Sequence, residues 1–141
     1  MKRLIIMLLF SFFLVGCEAT STTTEITTST ASTEELLDYS DFPSLLMTEA
    51  DQQLTQEYQT YYLYFYQETC YSCNYIKQEA LSKIALLETD IVFLVEVHSP
   101  SDIAEGIGVT QTPSIVTVVD NEATDLQIGS LAVLDFIDSL T

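Results

Sequence analysis

Two cysteines three residues apart, in Cys70-Tyr71-Ser72-Cys73, are the residues of this chain best suited to chemistry. On a helix that spacing puts both thiols on one face, close enough to form and break a disulfide without moving the backbone. The apolar run Tyr61 to Tyr66 (YYLYFY) comes just before the pair, and Ile76, Ala80, Ile84 and Leu87 follow it at helical spacing. Cys70 is therefore expected at a helix N-terminus, where free N–H groups and the positive end of the macrodipole stabilise a thiolate. The pair should be asymmetric. Cys70 is the expected nucleophile, exposed and lowered in pKa, and Cys73, one turn in and more buried, is the expected resolving thiol. Attack of the first on a partner's disulfide gives a mixed disulfide, which the second resolves. The inert alternative is a static Cys70–Cys73 disulfide pinning a helix start, where so small a loop contributes little entropy. Tyr71, between the cysteines, offers a flat apolar contact to a protein partner or is merely a half-exposed aromatic. Glu68 is either a proton acceptor near Cys70 or a solvated strand-end charge, and His98 reads as a surface-loop residue.

The elements that position the pair follow from pattern. YYLYFY and Ile91 to Val97 (IVFLVEV) read as strands buried on both faces. Ile115 to Val119 is a third strand, Asp120-Asn121-Glu122 a turn, and Ala123 to Ile128 a returning edge strand. Leu131, Leu134, Ile137 and Leu140 mark a last helix after Gly129. Capping boxes at Thr48-Glu49-Ala50-Asp51 and Ser99-Pro100-Ser101-Asp102 predict a helix over 49–59 and a short one ending at Gly106–Gly108. An extra short strand is expected near 42–47. Two strand–helix–strand units imply parallel pairing and the short turn implies an antiparallel hairpin, so the expectation is an α/β domain with a mixed central sheet flanked by helices on both faces.

The first quarter of the chain differs in kind. Met1-Lys2-Arg3 is a basic start, and Leu4 to Val15 is apolar but for Ser11. Twelve helical residues span about 18 Å, short of the ~30 Å hydrocarbon core, so the segment reads as an export signal. Leu14-Val15-Gly16-Cys17 resembles the lipobox of bacterial lipoproteins, which implies cleavage after Gly16 and lipidation of Cys17. Residues 18–33 contain eight Thr and three Ser with Ile26 the only large aliphatic, a composition that cannot repay ordering. The expected organisation is a signal peptide over 1–16, lipidated Cys17 and a Ser/Thr-rich tether over 17–35, and one domain over 36–141. With Cys17 consumed, Cys70 and Cys73 remain as an even pair in a disulfide-permissive setting.

Charge narrows the partners. The 141 residues carry 21 Asp and Glu against 4 Lys and Arg, a net of −17. Removal of Lys2 and Arg3 with the signal would leave −19. Nucleic acid is excluded as a partner, because phosphate binding needs Lys and Arg to displace counterions, and a domain lying flat on anionic lipid is disfavoured. Three cysteines and one histidine cannot build a four-ligand zinc site without several carboxylates.

The strand leading into Tyr66-Gln67-Glu68-Thr69-Cys70-Tyr71-Ser72-Cys73, followed by Val109-Thr110-Gln111-Thr112-Pro113, resembles the thioredoxin superfamily over about residues 48–141. The whole chain is similar to a membrane-anchored bacterial thioredoxin-like lipoprotein. The resemblance implies a thioredoxin-like fold, a cis Pro113 against the cysteines, and a Thr112 backbone that pairs with an extended substrate. It implies a redox-active Cys70–Cys73 disulfide with no organic cofactor or metal. Implied partners are exported protein thiols or disulfides and a membrane electron donor, with the domain held by lipid on the outer face of the cytoplasmic membrane. Departures from the family pattern are Thr69 where many members have Trp, Tyr64 where they have a buried Asp, and Tyr71-Ser72 in place of Gly-Pro. They leave open the redox direction and a non-enzymatic alternative, an accessory lipoprotein binding an exported peptide or transporter through the Pro113 loop.

Overall fold

The computed structural model describes residues 36–141, so the readings of the signal peptide, Cys17 and the tether lie outside the described residues. Five strands form one sheet: β1 (Leu46–Met47), β2 (Thr60–Tyr66), β3 (Val92–Glu96), β4 (Ser114–Val119) and β5 (Glu122–Ile128). Their order is β1-β3-β2-β4-β5. The first three pair in parallel, while β4 runs antiparallel to both β2 and β5. Two α-helices, α1 (Tyr71–Ile84) and α2 (Ser130–Asp138), complete the domain with three short 3-10 turns. The sheet is mixed, as expected.

Period-two alternation along β2 explains why the sheet can be covered on both sides. Tyr64 and Tyr66 point into a core with Cys73, Ile76, Ala80, Leu81 and Ile84 of α1 and Val133, Leu134 and Ile137 of α2. Tyr61, Leu63 and Phe65 point the other way, into a core with Phe93, Val95, Val116 and Val118. Both α-helices therefore lie on one face. The other is closed by Leu54, Ile103, Ala104, Ile107 and Val109, which lie in irregular chain following the 3-10 turns Ala50–Gln52 and Pro100–Asp102.

Two helix expectations are corrected here. Over 49–59 only the 3-10 turn Ala50–Gln52 forms, and its N-cap is Glu49 with no side-chain cap bond, so the Thr48 box is not used. Leu54 and Tyr58 are the only large apolar residues in that stretch, and Tyr58 is exposed. So narrow an apolar stripe cannot offset the cost of helix nucleation. The Ser99 box does form, with Asp102 Oδ2 accepting the Ser99 N–H at 2.7 Å, but it caps one 3-10 turn, Pro100–Asp102. Gly106 and Gly108 then adopt φ of +91° and +77°, which stop any helix there. The β4–β5 hairpin turns on Asp120 and Asn121, both at positive φ, as a two-residue turn matched to strand twist requires.

The chain enters the domain through a strap. Tyr39 is buried, stacked on Tyr66 with ring centroids 3.6 Å apart. The Gln78 amide accepts the Leu37 N–H at 2.8 Å and donates to the Leu37 carbonyl at 2.6 Å. Lys77 pairs with Asp38 and lies 4.8 Å from the Tyr39 ring centroid.

Candidate functional site

The C-terminal end of β2, the central strand, delivers the cysteines to one end of the sheet. After Tyr66 the chain turns, with the Cys70 N–H donating to the Gln67 carbonyl at 3.1 Å, and α1 begins. Cys70 is the N-cap residue, in extended backbone, and its Sγ accepts the Cys73 N–H at 3.1 Å. A sulfur thus occupies the position where helices commonly place a Ser or Asp oxygen, and it satisfies one of the free donors of the first turn. Cys70 is partly exposed, whereas Cys73 is fully buried in the helical core. Both carry free thiols.

The second wall of the site comes from the loop that enters β4, the strand paired beside β2. The Thr112–Pro113 peptide is cis, and Pro113 is buried. Its carbonyl accepts the Gly129 N–H at 2.9 Å, and the Ser114 hydroxyl donates to the Gln111 carbonyl at 2.6 Å. So held, the Thr112 carbonyl accepts from the Cys70 thiol at 3.4 Å. The sequence-predicted residues Cys70, Cys73, Thr112 and Pro113 meet at one place. Tyr71 stands beside them, facing solvent.

Electrostatics separate the two thiols. Partial burial pushes Cys70 up. Hydrogen bonding by the Cys73 thiol, the Thr112 side chain and the N–H groups of Cys73 and Ser72 outweighs it, and the thiol lies below its ordinary range. For Cys73 burial dominates, and the hydrogen bond to and charge of Cys70 add to it, pushing the thiol up to about 11. The arrangement favours one anion, at Cys70, with the proton kept on Cys73.

Beside Cys70 a cavity of about 650 Å³ opens, walled by Gln67, Val97, His98, Ile103 and Thr112. No Asp or Glu lines it. It lies between the CxxC turn, the chain that follows β3 and the loop that enters β4, and no sequence signal indicates it. His98 is exposed on its rim, 3.5 Å from a Glu96 carboxylate oxygen. Glu68 is exposed, and its backbone carbonyl accepts from the Asn74 amide at 2.7 Å. Sequence reasoning also misses Gln53, whose buried amide donates to the Asp102 carbonyl at 2.6 Å and accepts the Ala104 N–H at 2.9 Å. It ties down one end of the chain that leads to Thr112.

A central strand entering a CxxC helix, facing a cis-proline loop at the same end of a mixed sheet, defines a thioredoxin-like α/β fold. Among solved structures the chain is similar to a thioredoxin from Malassezia sympodialis, at 20% identity and TM-score 0.53, over 67% of this chain and 90% of that one. It is likewise similar to oxidised thioredoxin from Plasmodium falciparum, at 19% identity and TM-score 0.53, over 67% of this chain and 94% of that one. A chain from a study of the thiol-resolving mechanism in yeast mitochondrial 1-Cys peroxiredoxin matches at 24% identity and TM-score 0.52, covering 67% and 93%. No protein-family model and no curated protein matches the sequence.

Proposed function

We propose that this protein is an exported, lipid-anchored thiol–disulfide oxidoreductase acting on exported proteins through Cys70 and Cys73. The observation that carries the reading is the opposed state of the two sulfurs. Cys70 is a partly exposed helix cap with a lowered pKa, and Cys73 is buried with a raised one. In the reducing direction the Cys70 thiolate attacks one sulfur of a partner disulfide, forming a mixed disulfide and releasing the other sulfur as a thiolate. Cys73 then loses its proton and attacks the Cys70 sulfur. The Cys70–Cys73 disulfide forms, the partner's second thiolate leaves, and two electrons have passed to the partner. The oxidising direction is the same sequence reversed, and a dithiol or disulfide of the membrane closes the cycle. Thr112 and Pro113 supply the surface on which an extended partner segment lies, and Tyr71 flanks it. The redox-active disulfide is the only cofactor this chemistry needs. Lipid on Cys17 would keep the domain at the outer face of the cytoplasmic membrane.

A Cys73→Ser variant is expected to accumulate mixed disulfides between Cys70 and exported proteins, seen as reducible adducts on non-reducing gels. Absence of adducts that a further Cys70→Ser change could remove would refute the reading. A redox titration then sets the direction, with a potential of about −270 mV befitting a reductant and about −120 mV a strong oxidant.

A further inference from the structure

Three bulky apolar side chains stand open to solvent on the first turns of α1 and α2. Tyr71, Tyr75 and Leu131 are 84%, 75% and 75% exposed, among the largest exposures of any bulky apolar side chain in the described residues. Tyr71 and Tyr75 stand one turn apart on the same face of α1. Leu131 follows Ser130, whose hydroxyl donates to the Ser72 carbonyl at 3.3 Å, so the start of α2 is fastened to the CxxC turn. Each flank also bears acid. Glu79 follows Tyr75 by four residues, Asp135 follows Leu131 by four, and Glu68 precedes Cys70 by two, all three exposed.

Base is missing. Residues 36–141 hold seventeen carboxylates against two lysines, a net of −15. Among the described residues both lysines are engaged, Lys77 with Asp38, and Lys83 with Glu79 and Asp138. Exposed tyrosine faces attract ammonium and guanidinium groups. The molecule does this internally, where Lys77 sits over the Tyr39 ring.

We infer that Tyr71, Tyr75 and Leu131 form a docking surface for a cationic, apolar polypeptide segment, one in which Lys or Arg and aliphatic residues bracket the partner's cystine. The inference rests on the oxidoreductase reading and names the substrate class of that site. Charge selects this occupant. A second copy of the chain would bring two strongly negative bodies together, and an anionic lipid surface would be repelled in the same way. A basic segment instead meets the rings by cation–π contact and Glu68 and Asp135 by ion pairing, while its aliphatic residues cover the exposed apolar groups.

The test compares disulfide exchange by the full chain in its dithiol form with three small substrates. Two are peptides with the same intramolecular disulfide, flanked by Arg and Leu in one and by Glu and Leu in the other. The third is 2-hydroxyethyl disulfide, which is uncharged. At low ionic strength the cationic peptide is expected to react at least about ten times faster than the anionic one, the size of effect that electrostatic steering produces. The gap should close at about 0.5 M salt, where the Debye length is only a few ångströms. Tyr75→Ser and Leu131→Ser should each lower the ratio of the cationic-peptide rate to the 2-hydroxyethyl disulfide rate about threefold. Equal peptide rates alongside normal reaction of the small disulfide would overturn the docking surface and leave the oxidoreductase reading standing. Failure of all three substrates would overturn that reading, and the surface with it. Salt-stable dimerisation lost in Tyr75→Ser, or binding to anionic vesicles, would assign the patch to another occupant and overturn the inference.

Discussion

The two faces of the sheet are covered by different means. One is closed by α1 and α2, whose buried positions recur at helical intervals from Cys73 to Ile84 and from Val133 to Ile137. The other is closed by chain whose own backbone bonds are confined to single 3-10 and other tight turns, and which side chains hold, Gln53 and Asp102 above all. The catalytic candidates divide the same way. Cys70 and Cys73 come from the helical side, and Thr112 comes at the end of the irregular side. The site lies where regular structure, which fixes the position of a sulfur, meets a loop that only a few polar contacts hold.

If that contrast is right, the largest loss of stability comes from emptying the helical core. Leu81→Ala removes a fully buried side chain packed among α1, α2 and the sheet. The expected cost is about 2–5 kcal/mol, from lost transfer energy and the cavity left behind, measured by urea denaturation of the dithiol form. A cost near zero would mean that this face is not the packed one.

The same contrast governs which parts of the molecule are legible in its sequence. The strands are legible because YYLYFY and IVFLVEV leave no polar face, and α1 because its apolar residues keep a helical period to Ile84. The CxxC and Thr112–Pro113 are legible as motifs, and their meeting in space follows from the strand order. A helix over 49–59 is a false signal because a capping pattern is local. It says where a helix can start, and it carries no information on whether an apolar face exists to hold it. The cavity beside Cys70 is illegible for a related reason. Its walls come from three separate segments, around Cys70, over 97–103 and over 109–112, which only the tertiary fold brings together.

A second, smaller effect separates the faces by their glutamines. Gln53 and Gln78 use the same two-point amide contact, but Gln53 is buried and serves the irregular face, while Gln78 is half-buried and holds the Leu37 strap. Gln53→Ala leaves the Asp102 carbonyl and the Ala104 N–H without that partner in a buried setting, and about 1–3 kcal/mol is expected. Gln78→Ala frees a backbone segment that water can reach, so about 0.5–1.5 kcal/mol suffices. Amide hydrogen exchange should show the first change loosening residues around 102–104 and the second loosening residues near 37–39. Equal costs would mean that the irregular face is no more dependent on its polar fastening than the strap is.

The finest test works at the junction itself, on the proton of Cys70. In the dithiol form its alkylation by iodoacetamide should rise with pH through a midpoint below that of an ordinary thiol, while Cys73 stays unreactive until far more alkaline pH. The linked stability has opposite signs at the two sulfurs. The depressed pKa of Cys70 contributes stability that is present above the ordinary thiol pKa and is lost as pH falls through the folded value. The raised pKa of Cys73 contributes stability that is present below the ordinary thiol pKa of about 9 and is lost as pH rises toward about 11. Thr112→Val keeps the shape of the loop and removes the hydroxyl, one of the groups that lower Cys70. The alkylation midpoint of Cys70 should then move up, with denaturation midpoints at neutral pH almost unchanged. An unmoved midpoint would show that the helix start alone sets the acidity of Cys70, and that the irregular face provides surface without electrostatics.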